Sequence, residues 1–277
     1  MKNLFTLVFV LSSFFICNAQ RTMFGTQNNY VAPPFVFMNV PTGTNPVTTE
    51  LKMYLDATRT ASYSGSGTTW SDISGLSPAN DVTLSPNLTF GQSSVENGSG
   101  SFTFNGNSGT YATPTGTINL TTATFIAWVN PSVGCPNYSG IIENRGNGGS
   151  ANVTGLLLGG TGPNGSQEHY IGYTWNHYDQ YPQTLLVPNN QWSMIAVTIS
   201  STKADVYLFN AAGSSTHTHT YSHAASNNNK FYIGRDPGYD PARNYKGKIG
   251  TAMIYNAALT SQNITDIYNA QKVAFGQ

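Results

Sequence analysis

Hydrophobic and polar residues alternate in short runs along most of the chain after residue 50, which is the pattern of half-buried β-strands. Leu51–Asp56 is one such run, in which every second side chain is apolar. Residues 122–130 form a longer and almost continuously apolar run, which is typical of a strand at the centre of a sheet. Asn-Gly pairs such as Asn105-Gly106 separate the runs and favour tight turns. The pattern therefore predicts an all-β sandwich of short strands.

One segment near the end of the chain has helical spacing instead. Residues 261–271 place Ile264, Ile267 and Tyr268 on one face, at the i, i+3, i+4 spacing of an amphipathic helix. Thr260 precedes them and is a favourable N-cap residue. We therefore expect one short C-terminal helix beside the sheets.

The first nineteen residues have the pattern of a signal peptide. A charged Lys2 precedes an apolar run over residues 4–16, and residues 17–19 form a small-residue cleavage site. Cys17 raises the alternative of a lipoprotein, but the residue before it is Ile16 rather than a small one. No later apolar run is long enough to span a membrane. We therefore expect export of the protein to the extracellular space or the cell surface.

Residues 20–49 form an unusual segment that combines several prolines with large apolar side chains. The prolines favour an extended arm, yet apolar residues such as Val36, Phe37 and Met38 would lose burial energy if left in water. Two interpretations stay open. The arm lies back along its own domain, or it adds as a strand to a partner through these three residues.

Composition and charge narrow the classes of function. Only 9% of the 277 residues are charged, and twelve basic residues balance twelve acidic ones, so the formal charge is zero. The basic residues are scattered, which argues against a nucleic-acid partner. Loss of the signal peptide would leave Cys135 as the single cysteine, which cannot form an internal disulfide.

Six short segments of the chain stand in a characteristic order. They are residues 54–56 (YLD) with 70–75 (WSDISG), 104–106 (FNG) with Tyr111, 125–129 (FIAWV), 191–198 (QWSMIAVT), 245–250 (YKGKIG) and 254–260 (IYNAALT). Together they resemble the laminin-G-like domains of the concanavalin A-like lectin/glucanase superfamily, over residues 51–275. The resemblance implies a two-sheet antiparallel jelly-roll sandwich, with residues 50–277 as one domain.

The resemblance does not imply one activity, because this superfamily includes sugar-binding modules, adhesion domains and glucanases. Its glucanases carry paired carboxylates on one strand, so that two acids flank one glycosidic bond. The twelve acidic residues of this chain show no such pair on a predicted strand. We therefore expect a non-catalytic protein rather than a glycosidase.

An aromatic segment at residues 170–181 is our candidate ligand site, because rings with a polar handle suit the faces and hydroxyls of a sugar. The alternative is that Trp175 belongs to the core. Tyr239 would complete the site from a second loop. The predicted ligand-binding residues are Trp175, His177, Tyr178, Asp179, Tyr181 and Tyr239.

Two carboxylates in the loop around residues 235–241 suggest a calcium site. Asp236 and Asp240 lie in a proline-stiffened turn, which can offer calcium several oxygens. The alternative is an ordinary turn in which Arg235 and Arg243 neutralise the acids. The histidines of the segment HTHTYSH, residues 217–223, suggest a transition-metal site less strongly, because no acid or thiol accompanies them.

Taken together, the sequence predicts an exported, non-catalytic binding or adhesion module for carbohydrate or a surface partner. The competing hypothesis is a structural or assembly subunit that docks through the arm. In the first case the aromatic loop carries function, and in the second the segment around Val36–Phe37–Met38 does.

Overall fold

Two antiparallel β-sheets and one α-helix make up most of the computed structural model, which describes residues 45–92, 100–145, 153–176, 178–180 and 184–277. The strands are β1 (Leu51–Asp56), β2 (Thr69–Trp70), β3 (Val82–Leu84), β4 (Thr89–Gln92), β5 (Gly100–Asn105), β6 (Ala112–Pro114), β7 (Ile118–Leu120), β8 (Ala123–Pro131), β9 (Ser139–Asn144), β10 (Thr154–Thr161), β11 (His169–Trp175), β12 (Tyr178–Gln180), β13 (Leu186–Val187), β14 (Ser193–Ile199), β15 (Lys203–Asn210), β16 (Gly213–Thr220), β17 (Ser226–Asn229), β18 (Tyr232–Ile233) and β19 (Lys246–Tyr255). The helix α1 spans Ser261–Gln271 and continues into a 3-10 helix at Lys272–Phe275.

The two sheets confirm the predicted sandwich. One sheet has eight strands in the order β16-β15-β14-β8-β19-β5-β4, with β1 also paired to β19. The other has nine strands in the order β12-β11-β10-β9-β18-β6-β3-β2, with β13 also paired to β11. The apolar run at residues 122–130 is confirmed as a central strand: all nine residues of β8 are buried, and β14 and β19 flank it.

Alternate side chains of both sheets meet in the main core, as the period of two along a strand requires. An aromatic group at one end of this core brings Phe102 within 4.8 Å of Tyr63 and 4.7 Å of Trp70, measured between ring centroids. All three rings are buried. The opening strand and the WSDISG turn are thereby tied to the centre of the sandwich.

A second apolar cluster lies on the outer face of the eight-stranded sheet and is covered by α1. Trp128 of β8 stacks on Phe275 at 4.3 Å and on Tyr268 at 5.7 Å, and its indole Nε1 donates to Oε1 of Gln271 at 2.9 Å. Ile264 and Ile267 are fully buried in the same cluster. The sheet is therefore buried on both faces beneath the helix, which explains the continuous apolar sequence of β8.

The bounds of α1 and its N-cap are as predicted. Thr260 and Asn263 form a capping box, in which the Thr260 hydroxyl accepts a hydrogen bond from the Asn263 backbone. Such reciprocal caps satisfy backbone groups that the first helical turn leaves free. The local signals of the sequence were sufficient here because the cap and the apolar face both lie within the helix itself.

The WSDISG turn protects one edge of the eight-stranded sheet. Asp72 accepts hydrogen bonds from the backbone N–H groups of Tyr54 at 2.8 Å, Ser74 at 2.9 Å and Asn80 at 2.8 Å. The N–H of Ile73 donates to the carbonyl of Tyr54 at 2.9 Å. The outer edge of β1 is thus covered by a turn of its own chain.

The predicted arm falls mostly outside the described residues, including Val36, Phe37 and Met38, and so does the predicted signal peptide. The chain divides into a unit of residues 1–38 and a unit of residues 39–277. Within the second unit, the amide of Asn45 donates to the Tyr255 hydroxyl at 2.7 Å, and Val47 packs against the cluster beneath α1. The last few residues of the arm therefore dock in cis. No helix among the described residues is long and apolar enough to span a membrane.

Replacing Ile267 by alanine should destabilise the protein by about 2–5 kcal/mol, because it leaves a cavity beneath α1. Val273→Ala is the matched control, since Val273 is 45% exposed and its replacement should cost less than about 1 kcal/mol. Urea unfolding of both variants measures the difference. Equal losses for the two variants would show that the helix is not held by its buried face.

Candidate functional site

The predicted ligand residue Trp175 lies in the core. It is the last residue of β11, only 2% exposed, and its indole Nε1 donates to the carbonyl of Ala224 at 2.5 Å. Tyr173, two residues earlier on the same face, is fully buried in the same core. The ring of Trp175 is therefore not presented to a ligand in this structure, and its polar handle is already used.

The other predicted residues of the aromatic segment are only partly described. Tyr178 and Asp179 lie on β12, where they pair in register with Trp175 and Thr174 of β11. His177 and Tyr181 lie outside the described residues. The proposed ligand role of these four residues stays a prediction.

In the nine-stranded sheet, backbone pairing runs across five neighbouring strands from β12 to β18. Asp179, Thr174, Gly155, Glu143 and Tyr232 stand directly opposite one another on five neighbouring strands. Thr174 donates to Glu143 Oε1 at 2.7 Å, and both residues are buried. Four strand spacings of about 4.8 Å separate Asp179 from Tyr232 by about 19 Å.

Asp236, one of the two predicted calcium ligands, is held by two arginines. Its Oδ1 accepts from Arg145 Nε at 2.6 Å, and its Oδ2 accepts from Arg145 at 2.6 Å and from Arg243 at 3.1 Å. The Asp236 side chain is 4% exposed. These hydrogen bonds raise the pKa of Arg145 above its ordinary value. Both carboxylate oxygens are thus committed to a buried ion-pair network.

Tyr239 and Asp240 lie beside this network with different partners. Tyr239 is 46% exposed, and the guanidinium carbons of Arg243 and Arg145 lie 3.9 Å and 4.8 Å from its ring centroid. Asp240 accepts from the Asn244 amide at 2.6 Å and from the Ser108 hydroxyl at 3.0 Å.

This geometry favours the neutralised turn over the calcium site. Arg243 pairs with Asp236, as that alternative expected, and Arg145 supplies the second guanidinium. Among the described residues there is no group of three or more His, Cys, Asp or Glu side chains that could hold a metal ion. The calcium site at Asp236 and Asp240 stays a prediction.

Two of the histidines take part in a hydrogen-bond relay that closes the sandwich at one edge. His223 Nδ1 lies 2.9 Å from the Ser200 carbonyl, so it must donate, which leaves Nε2 to accept from the Tyr173 hydroxyl at 3.1 Å. The Tyr173 oxygen can then accept from His219 Nδ1 at 3.2 Å. Burial lowers the pKa of His223 below its ordinary value. The relay needs neutral His223, because the protonated ring has no acceptor for the tyrosine.

An open groove of about 500 Å³ lies on the outer face of the eight-stranded sheet, beside the N-terminal end of α1. Strands β14, β15 and β16 form its floor, and residues 258–261 form one wall. Hydroxyl groups dominate the lining. The lining residues are Thr198, Ser200, Lys203, Asp205, Tyr207, Thr216, Thr218, Ala258, Leu259, Thr260 and Ser261.

Asp205 is the central polar group of this groove. Its Oδ1 accepts from the Thr218 hydroxyl at 2.6 Å, and its Oδ2 accepts from Lys203 Nζ at 2.7 Å. The hydrogen bond to Asp205 raises the pKa of Lys203, and burial raises the pKa of Tyr207 in the floor. The Asp205 side chain is 15% exposed and the Lys203 side chain is 51% exposed. The groove therefore contains one partly buried carboxylate and one exposed ammonium group among hydroxyl groups.

The sequence pattern did not lead us to this groove. Lys203, Asp205 and Tyr207 alternate along β15, and Thr216 faces Tyr207 while Thr218 faces Asp205 across the hairpin. That alternation of polar residues is visible in the sequence. The wall is not, since residues 258–261 follow β15 by about fifty positions and reach the groove only through the fold.

Comparison with known proteins places this geometry in context. The family model described as the concanavalin A-like lectin/glucanases superfamily, of the laminin-G type, matches residues 105–265, more than half of the chain. A search of curated proteins finds no match for the sequence.

Three solved structures share the fold. Domain 4 of a GH43 extracellular arabinanase from Geobacillus stearothermophilus, in complex with arabinotriose, is 16% identical with a TM-score of 0.50, over 79% of this chain and 98% of that one. Trypanosoma rangeli sialidase in complex with sialic acid is 16% identical with a TM-score of 0.53, over 84% of this chain and 35% of that one. An arabinofuranosidase complexed with arabinofuranosyl-α-1,2-xylobiose is 15% identical with a TM-score of 0.54, over 75% of this chain and 51% of that one. The chain thus spans nearly all of the arabinanase domain. It spans only about a third of the sialidase and about half of the arabinofuranosidase.

Replacing Asp236 by asparagine should destabilise the protein by about 3–5 kcal/mol, because two partly buried guanidinium groups lose their counter-charge. Asp240→Asn is the matched control, since the asparagine oxygen can still accept from the Asn244 amide while its NH2 group donates to the Ser108 hydroxyl, and it should change the unfolding free energy by less than about 0.5 kcal/mol. Thermal melts of the wild type with and without calcium complete the experiment. A calcium-dependent rise in melting temperature that both variants abolish would contradict the ion-pair interpretation and support the metal site.

Stability should fall as the pH drops below about 6.5, the ordinary value for histidine. The pKa of His223 is lower in the folded protein than in the unfolded chain, so the unfolded chain binds a proton first as the pH falls. The contribution of His223 to stability is therefore complete above about pH 6.5 and is lost as the pH falls towards the pKa of the folded state. The loss amounts to about 1.4 kcal/mol for each unit between the two pKa values. His223→Gln should remove this part of the pH dependence in urea titrations at successive pH values. His217→Gln, outside the relay, should leave it unchanged, and an identical slope in both variants would contradict the assignment.

Proposed function

Since the chain belongs to the concanavalin A-like lectin/glucanases superfamily, we propose that it is a non-catalytic carbohydrate-binding module and that the groove beside α1 holds the sugar. One observation carries the proposal: the open groove is lined by hydroxyl groups around an ordered Asp205. Its volume of about 500 Å³ lies in the range of small-molecule binding sites. We also propose export to the cell exterior, in agreement with the signal-peptide pattern.

The chemistry of the groove suits a neutral sugar. Asp205 keeps acceptor capacity beyond its bonds to Thr218 and Lys203, because an ionised carboxylate has about four lone-pair sites. Hydroxyl groups of threonine and serine can both donate and accept, so they can match the hydroxyls of a sugar. Ala258 and Leu259 supply apolar surface on the wall that residues 258–261 form. In small-molecule sites, polar groups in fixed positions orient the ligand and select between ligands, while apolar surface beside them adds contact area.

The structural neighbours support a pentose-containing saccharide as the first probe. The arabinanase domain that this chain spans almost completely was solved with arabinotriose, and the arabinofuranosidase with an arabinofuranosyl xylobiose. At 15–16% identity these likenesses show the fold alone, so they guide the choice of ligand rather than identify it. Sialic acid, from the sialidase complex, is the acidic comparison.

The arrangement of carboxylates supports binding rather than hydrolysis. Glycoside hydrolysis usually needs two carboxyl groups on opposite sides of the scissile bond, about 5–10 Å apart. Asp205 is the only carboxylate among the residues that line the groove. Its ion pair with Lys203 and its bond to Thr218 hold it as an acceptor rather than as a proton donor.

Replacing Asp205 by alanine should weaken binding of arabinotriose, or of the best neutral ligand from a glycan array, by about 10–100-fold. This corresponds to the loss of a hydrogen bond to a charged group, about 1.5–3 kcal/mol. Thr218→Val should weaken binding less, because it removes a hydroxyl that orients Asp205. Isothermal titration with the wild type and both variants measures the effect.

Tyr239→Ala is the matched control, since it removes an exposed ring from the other predicted site without touching the groove. It should bind the ligand as the wild type does. Loss of binding in Tyr239→Ala with normal binding in Asp205→Ala would move the site to the loop around residue 239. If the wild type binds no saccharide, the proposed function is overturned and the docking role of the arm becomes the better explanation.

A further inference from the structure

Strand β16 forms an unusually open edge of the eight-stranded sheet. It is the last strand in the sheet order, and among the described residues it pairs only with β15. All eight of its residues pair with β15 without a register shift, so the strand is regular to its end. Alternate residues of an antiparallel edge strand direct their N–H and C=O groups away from the sheet. A full row of backbone donors and acceptors is therefore available along β16.

The other sheet ends in the described part of the chain are short or covered. β4 has four residues, β12 has three, and β2 has two. The outer edge of β1 is covered by the turn at Asp72, as described above. Natural proteins protect open edges with short strands, charges, prolines, bulges or covering loops. Within the described part of the chain, β16 has none of these devices.

The sequence of β16, GSSTHTHT, is also suited to pairing. It contains no proline and no carboxylate, lysine or arginine. Its threonines have high β-propensity, and six of its eight residues are exposed. Edge strands of this length without charges are recognised as sites where another strand adds.

We propose that two copies of this chain pair antiparallel through β16 and so form one continuous sheet. A second copy fits because the strand carries no carboxylate, lysine or arginine, so that no like charges of these residues face each other when identical edges meet. A two-fold contact also needs only one self-complementary patch on the chain. The pairing adds strands by main-chain hydrogen bonds, as in other cases of strand addition.

The faces of the sheet fix the register of this pair. Thr216 and Thr218 face the groove on the outer side, while His219 faces the sandwich interior, where it meets Tyr173. A two-fold axis perpendicular to the sheet keeps the outer faces of both copies on one side, and directly opposed residues share a face. Centring the pair on His217 sets Ser214 opposite Thr220 of the second copy and Thr216 opposite Thr218 of the second copy.

The pairing would set two grooves side by side on one sheet face. This consequence rests on the proposed function, because it concerns sugar binding in the groove. Two linked sites bind a polymeric ligand with an avidity that exceeds the affinity of either site by about 10²–10⁴-fold where geometry permits both to engage. The dimer itself does not depend on that function.

The test uses two double variants of the full chain. Ser214→Asp with Thr220→Asp places acids opposite acids across the proposed pair, and Ser214→Lys with Thr220→Lys places bases opposite bases. Analytical ultracentrifugation of the wild type should show the mass rising with concentration to twice that of one chain. Each variant should be monomeric at concentrations where the wild type is a dimer. A mixture of the two should recover the dimer, since every opposed pair is then of opposite charge.

Each other outcome overturns the proposal. A wild type that stays monomeric, or a mixture of variants that does not associate, excludes the pairing of β16 with itself. Dimers that persist in both charged variants but disappear with Val36→Asp and Met38→Asp would show that the arm makes the contact. Unchanged melting temperatures of the variants confirm that they fold.

The dimer and the proposed function can fail separately. Ser214 does not line the groove and stands opposite Phe209, at the far end of β15 from Lys203, so arabinotriose should bind the single variant Ser214→Asp with the affinity of the wild type. A dimer that binds no saccharide would leave the pairing intact and overturn the function. A monomer that binds arabinotriose would overturn the pairing and leave the proposed function intact.

Discussion

The architecture of this protein depends on the need to bury the outer face of its eight-stranded sheet. A sheet in a sandwich ordinarily covers one face and leaves the other to water, but Trp128, Met194 and Met253 lie on the outer face of this one and are buried. Helix α1 and the 3-10 helix after it cover them, with Trp128 stacked on Phe275. Each of these side chains contributes about 1.5–3 kcal/mol through burial. The C-terminal helix is therefore part of the core rather than an appendage.

The position of the helix also explains where the sheet remains open. α1 packs over β8, β14 and β19, and its first residues, with the preceding loop, end as a wall above β15. Phe209, near the end of β15, still stacks on Tyr268 of α1 at 4.8 Å, whereas Lys203 and Asp205 of β15 and Thr216 and Thr218 of β16 line the groove beyond the helix. The groove is the part of the sheet face that the helix does not reach. The open edge of β16 has the same cause, since none of the elements that the structure describes packs beyond the helix on that side.

The sequence was informative where a structure depends on neighbouring residues. The bounds of α1 follow from Thr260 and from the spacing of Ile264 and Ile267, and the central strand follows from its continuous apolar run. Interactions between distant residues were not accessible in the same way. Asp236 is neutralised by Arg145, 91 positions away, and the sequence suggested Arg235 and Arg243 because they are near. Trp175 shows a further limit, because an aromatic residue at the end of a strand has the same sequence pattern in a core as in a binding site.

Two carboxylates of this chain have ion pairs of very different importance for the fold. Asp236 is buried with two guanidinium groups on a rim of the sandwich, where removing one partner leaves a costly unpaired charge. Asp205 is paired with an exposed Lys203, where a salt bridge adds little to stability, about 0–1 kcal/mol. A carboxylate whose ion pair contributes so little to the fold is available for recognition, since its acceptor sites face an open groove. In a chain with so few charged residues, a carboxylate that the fold does not require supports the groove as the proposed binding site.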